Sequence, residues 1–140
     1  MYARLLRSVP PATLALARQF LRFGTVGVAG FVVDAGIIYA TRHWLGLYGA
    51  GVLSSVAAAT VTWALNRAWT FRGRGTGRAH RQWALFLVAN LGGFVLNRGT
   101  YALLITYVTI CAEHPVLAVL AGVAVAMFLN FHLSRKLVFR

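Results

Sequence analysis

Residues 23–41, between Arg22 and Arg42, carry a single ionisable side chain, Asp34, in the run "FVVDAGIIYA". As a helix rising 1.5 Å per residue, this segment covers about 28 Å, close to the hydrocarbon thickness of a bilayer. Nothing else in the chain constrains its fold as much. The composition agrees: 59% of residues are hydrophobic and 11% are charged, whereas soluble domains are nearer about a quarter charged. Mean hydropathy is +0.70. The formal net charge of +12 would suit a nucleic-acid binder only if the apolar runs left a solvated basic face. They do not, and nucleic acid is excluded as a partner.

Three further segments read as spans. Residues 48–66 are uncharged and rich in Ala, Val, Ser and Thr, and a short turn at Leu45–Leu47 joins them to the first span. Residues 83–108 are interrupted only by Arg98, and residues 116–134 begin just after Pro115, which suits a first helical turn. The expected fold is an all-α integral membrane protein with four transmembrane helices in a single membrane domain, 1–140. Residues 1–18 form a cytoplasmic, interfacial lead-in, because Pro10 and Pro11 break an apolar stretch too short for a signal peptide. Cys111 is the lone cysteine and makes no intrachain disulfide.

Charge sets the orientation. Arg4, Arg7, Arg18 and Arg22 precede the first span, Arg67, Arg72, Arg74, Arg78 and Arg81 lie in the middle loop, and Arg135, Lys136 and Arg140 close the chain. These are twelve of the fourteen cationic side chains. The opposite turns hold only Arg42 and His43, then Glu113 and His114. The positive-inside rule places both termini and the middle loop in the cytoplasm.

The chain also repeats itself. A displacement of 63 aligns Gln19 with Gln82, Phe23 with Phe86, Gly30-Phe31-Val32 with Gly93-Phe94-Val95, and Asp34 with Asn97. Beyond the second turn the displacement becomes 68, aligning Arg67 with Arg135, Phe71 with Phe139, and the ladder Ala50, Ser54, Ala58, Thr62 with Ala118, Gly122, Ala126, Asn130. Small residues at i, i+4 spacing let membrane helices approach closely. The expected organisation is a parallel two-hairpin internal repeat, 19–72 and 82–140, joined by a basic linker, 73–81. Two spans per copy give the copies the same orientation and a pseudo-twofold axis along the membrane normal.

The "FVVDAG" first helix, the "LNRAWTF" ending and the second copy ending "NFHLSRKLVF" resemble the GtrA-like family over Gln19 to Arg140. The resemblance implies a multi-pass protein of the bacterial cytoplasmic membrane that moves polyprenyl-phosphate-linked sugars for cell-surface polysaccharide synthesis. It implies a polyprenyl-phosphate sugar lipid as the partner, and no cofactor.

Asp34 and Arg98 are the only charges within the expected spans. An ionisable group at such depth normally faces a bundle interior or a wet cavity. Since Asn97 aligns with Asp34, the set Asp34, Asn97 and Arg98 is expected at similar depth across the repeat seam. It serves either as an ion pair that locks the bundle or as a ligand or proton-coupling site, in which Asp34 would carry the proton. A second set lies at the cytoplasmic ends: Asn66, Arg67, Asn130, Arg135 and Lys136, with Arg22, as lipid-phosphate ligands, and Trp69, Phe71 and Phe139 as sugar or headgroup stackers. The same residues would also serve as ordinary positive-inside anchors and an aromatic belt.

The sequence holds no Ser/His/Asp set, no paired carboxylates and no metal-ligand spacing among His43, His80, His114 and His132, so neither enzyme chemistry nor a metal is expected. Two alternatives to lipid flipping remain. One is a non-transporting adaptor that docks a glycosyltransferase through the basic linker. The other is a small multidrug-type proton antiporter, which the strong charge bias disfavours. Membrane lipids are partners in every case. A homo-oligomer, at least a dimer, is expected, with Gly24, Gly27 and Gly30 as one close-packing face.

Overall fold

The computed structural model describes residues 10–75 and 77–140; residues 1–9 of the expected lead-in, with Arg4 and Arg7, lie outside them. The described residues are helical almost throughout, with no strand among them. The chain divides into two compact units, Met1–Arg72 and Gly73–Arg140.

In the first unit, α1 (Pro11–Leu65) starts with Pro11 in its first turn and folds at Gly46, whose φ of 66° and ψ of 174° are non-helical. A positive φ is cheap only for glycine, which explains why the turn expected at Leu45–Leu47 falls on this residue. Residues 11–18 are the first turns of α1. The two arms are antiparallel: the Phe23 ring meets Phe71, and Gly30 lies against Thr62, pairs that are nearly symmetric about Gly46. Ala50 and Ser54 are fully buried. The Ser54 hydroxyl donates to the Gly51 carbonyl at 3.0 Å, so no polar group is stranded there. Gly30, expected on an oligomer face, is instead used within its own unit, while a β-carbon at Gly27 would meet nothing within 4 Å.

The second unit comprises α2 (Ala79–Tyr107), α3 (Thr109–Glu113) and α4 (Pro115–Leu133). Extended backbone at Val108 ends α2, and His114 separates the single turn α3 from α4, which begins at a proline. Gly93 lies against the Asn130 amide and Gly122 against Asn97. Two contacts of the first unit have counterparts here. Phe23–Phe71 and Phe86–Phe139 both have ring centroids 6.2 Å apart, at 65° and 66°. Gly30–Thr62 is matched by Gly93–Asn130.

Two helical segments are long and apolar enough to cross a membrane, Pro11–Thr70, which includes the fold at Gly46, and Val116–Val138. α2 is long enough, but Asn90, Asn97 and Arg98 interrupt its apolar run. Only 17% and 22% of the apolar windows in the two segments are buried within the chain, so they are not core helices of a soluble protein. Large apolar side chains such as Phe31, Val52 and Phe94 are exposed, as expected of a surface whose solvent is lipid. Hydroxyls along the helices donate to carbonyls one turn back, Thr41 to Ile37 at 2.7 Å and Thr106 to Ala102 at 2.7 Å, which removes the cost of a free hydroxyl in an apolar medium. Trp44 and Tyr48 flank the Gly46 fold and are among the most exposed residues; amphipathic rings of this kind sit at a membrane–water interface.

Candidate functional site

Each unit ends in a widened helical turn. Asn66–Thr70 and Ser134–Val138 are π-helical, closed by i→i+5 bonds in which the Phe71 amide donates to the Asn66 carbonyl and the Phe139 amide to the Ser134 carbonyl, both at 2.8 Å. The closing residues, Phe71 and Phe139, are fully buried. The wider turn carries each ring under the helix end against Phe23 or Phe86, and aromatic burial offsets the poorer hydrogen-bond geometry. This corrects the expectation that Phe71 and Phe139 stack on a sugar, since their faces are covered by protein. The exposed aromatic at the end of the first unit is Trp69.

The first of these turns gathers several of the expected ligands. The Arg22 guanidinium lies 5.4 Å from the centroid of the Trp69 ring, so the first arm of α1 returns a cation to the end of the second. Arg67 is half-buried with its guanidinium 5.7 Å from the Trp63 ring. Asn66, next to Arg67 in the chain, is almost fully buried, and its Oδ1 has no hydrogen-bond partner among the described residues. The same holds for the Thr70 hydroxyl. Buried acceptors and hydroxyls are nearly always paired in native proteins, so these two call for an explanation.

In the second unit, Arg135 is half-buried and Lys136 exposed, both within the second π turn, whose Ser134 is fully buried. Asn130 lies one turn deeper in α4, packed on Gly93, with its Oδ1 buried and unpaired among the described residues. The cations sit at the carbonyl end of their helices, where the backbone dipole favours positive charge.

The set expected at membrane depth, Asp34, Asn97 and Arg98, is divided between the units. Asp34 is half-buried on the first arm of α1. Asn97 packs on Gly122, and the exposed Arg98 has its guanidinium 5.6 Å from the centroid of the Phe94 ring. No group of three His, Cys, Asp or Glu side chains among the described residues could hold a metal.

Sequence reasoning missed Trp63, Thr70 and Ser134. The signal was present for Ser134, which the displacement of 68 pairs with Asn66, but a serine among apolar residues does not reveal that it opens a π turn.

Helices with mostly uncovered apolar surface, folded into hairpins, the first of them ending in a cation–aromatic cluster, define a helical membrane protein. Comparison with family models makes this specific: the GtrA/DPMS transmembrane domain matches residues 22–139, and the chain belongs to that family. The family is associated with glycosyl-lipid flipping or sugar-related membrane function, and its members are generally non-catalytic. A search of curated proteins found no match.

Proposed function

We propose that this protein moves a polyprenyl-phosphate-linked monosaccharide across the bacterial cytoplasmic membrane for cell-surface polysaccharide synthesis. It would do so as a four-span protein of two like-oriented hairpins with both termini in the cytoplasm. The observation that carries this reading is the end of the first unit. Two arginines each lie over a tryptophan, and Asn66, next to Arg67 in the chain, is buried with its Oδ1 unpaired among the described residues. Guanidinium groups bind phosphate in a two-pronged way, Trp69 offers an exposed ring to a sugar or headgroup, and the Asn66 Oδ1 is an acceptor suited to a sugar hydroxyl. Arg135 and Lys136 on the second π turn add two cations. The contacts that recur at displacements of 63 and 68 support the two-hairpin organisation.

The test is binding of three lipids to the purified protein: polyprenol, polyprenyl phosphate and its glycosylated form. Each charge-assisted contact contributes about 1.5–3 kcal/mol, so Arg67→Ala or Arg135→Ala weakens binding of the phosphorylated lipids roughly tenfold or more. Polyprenol binds poorly. Equal affinity for all three, unchanged by either substitution, overturns the reading and leaves the adaptor that recruits a glycosyltransferase.

A further inference from the structure

The segment joining the units, read in the sequence as a flexible basic linker, is tied down at its start. The Gly75 amide donates to the Arg140 backbone oxygen at 2.6 Å, bringing the linker back onto the end of α4. Gly75 holds a φ of 84°, and a β-carbon there would collide with Gln82 Nε2, so the approach needs a glycine for both conformation and space.

Gly75 lines a cavity of about 370 Å³ within the second unit, together with Arg78, Arg81, Arg140, Gln82, Val138, Leu85 and Leu137. The three arginines are exposed, whereas Gln82 is 3% exposed and Val138 6%. No lining side chain is acidic. The Arg140 Nε donates to the Lys136 carbonyl at 2.9 Å, which fixes the stem of that side chain and leaves its Nη groups for another partner. Arg78 occupies the N-cap position of α2 without a side-chain cap, at the positive end of the helix dipole.

We infer that this cavity is a binding site for a phosphate-ester anion, separate from the Arg67 and Arg135 ends. Three guanidinium groups on one cavity with no acidic side chain among its lining residues repel one another, and an anion among them removes that repulsion while accepting their fork-like donors. The volume falls in the range of small-ligand sites, about 300–1,000 Å³, so it accommodates a headgroup larger than bare phosphate. Leu85 and Leu137, both apolar and exposed beside the arginines, favour the headgroup of an anionic phospholipid over a soluble phosphate ester, because they offer cover to the first carbons of an acyl chain. The inference does not rest on the transport reading, and none of the probes below contains a polyprenyl chain.

The test uses the full chain in nanodiscs, comparing retention of phosphatidylglycerol against phosphatidylcholine by native mass spectrometry, with inorganic pyrophosphate titrated separately by calorimetry. The expected result is preferential retention of phosphatidylglycerol, reduced about tenfold or more in Arg78→Gln/Arg81→Gln. The control Arg72→Gln/Arg74→Gln removes the same charge from the same middle loop at positions that do not line the cavity, and it keeps the preference. Pyrophosphate binding without a phosphatidylglycerol preference, lost in Arg78→Gln/Arg81→Gln alone, supports the anion site and assigns it a soluble phosphate ester. Equal loss in both double variants, or no binding of either probe by the native protein, overturns it, since the linker would then act only as a diffuse basic surface.

Discussion

Gly30 and Thr62 meet so closely across the first hairpin that a β-carbon on the glycine would strike the threonine methyl. The threonine is held in that pose because its hydroxyl donates to the Ala59 carbonyl at 3.0 Å, which leaves the methyl facing the other arm. The seam is therefore fixed by one side chain that is absent and another that cannot rotate away without losing its hydrogen bond. In the second unit Gly93 meets Asn130 in the same way, but there the colliding atoms are the end of an amide side chain with more freedom to shift.

Gly30→Ala is accordingly expected to destabilise the first unit by about 1–3 kcal/mol, the usual cost of overpacking, with Gly93→Ala costing less. Adding Thr62→Ser removes the methyl and restores most of the loss. Gly27→Ala, with nothing near its added carbon, is silent. Denaturation of the purified variants in mild detergent reads all four. A Gly30→Ala change as silent as Gly27→Ala, or unrelieved by Thr62→Ser, contradicts the described seam.

Such contacts are legible in a sequence because close approach in a membrane helix selects small residues, and selection leaves a spacing. Gly30, Gly93, Ala50 and Ala118 stand out for that reason, as do Phe23 and Phe86 beside them. The fold at Gly46 is legible too, since few other residues tolerate its φ. The π turns are not. An i→i+5 bond is a choice between neighbouring backbone acceptors, and neither Asn66 nor Ser134 carries a local signature of it. That is why Phe71 and Phe139 looked like exposed stackers beside basic residues when the wider turn in fact buries them. The return of Gly75 to Arg140 was hidden for a different reason: it joins residues 65 positions apart through backbone atoms, which leave no side-chain pattern.

Asn66 separates a structural from a functional use of its amide. Its Oδ1 is buried and lacks a partner among the described residues, a situation that costs about 1–3 kcal/mol. Asn66→Leu, similar in volume and free of that cost, is expected to leave stability unchanged or higher while lowering affinity for the glycosylated lipid, whose sugar hydroxyls can donate to Oδ1, more than for polyprenyl phosphate. A less stable variant that binds the lipid normally would assign the amide to packing alone.

The proposed topology is tested by reporter fusions. Fusions after Phe71 and after Arg140 are expected to report the cytoplasm, and one after Leu47 the opposite side. The length between Arg22 and Trp44, about 33 Å as helix, suits a single crossing ended by interfacial aromatics. A fusion at Arg140 reporting the outside removes the four-span organisation, because an even number of crossings returns the chain to its starting side.

The last expectation concerns Asp34 and Arg98, which the sequence offers either as an ion pair or as a ligand or proton-coupling site. Each is costly in an apolar medium, and where two such charges pair, removing one strands the other. Asp34→Ala or Arg98→Ala alone is therefore expected to reduce folded yield more than the two together, a non-additivity that a double-mutant cycle measures directly. Additive losses would mean that the charges do not interact, in keeping with the contact of Arg98 with Phe94 within its own unit. The conservative double change Asp34→Asn/Arg98→Gln then distinguishes the two uses of a pair. It removes both charges while keeping polar side chains of similar length, so a pair that only locks the helices is dispensable and lipid movement in vesicles persists. A carboxylate that carries a proton has no substitute in an amide, so a folded double variant that binds the lipid but no longer moves it would place Asp34 in the coupling step.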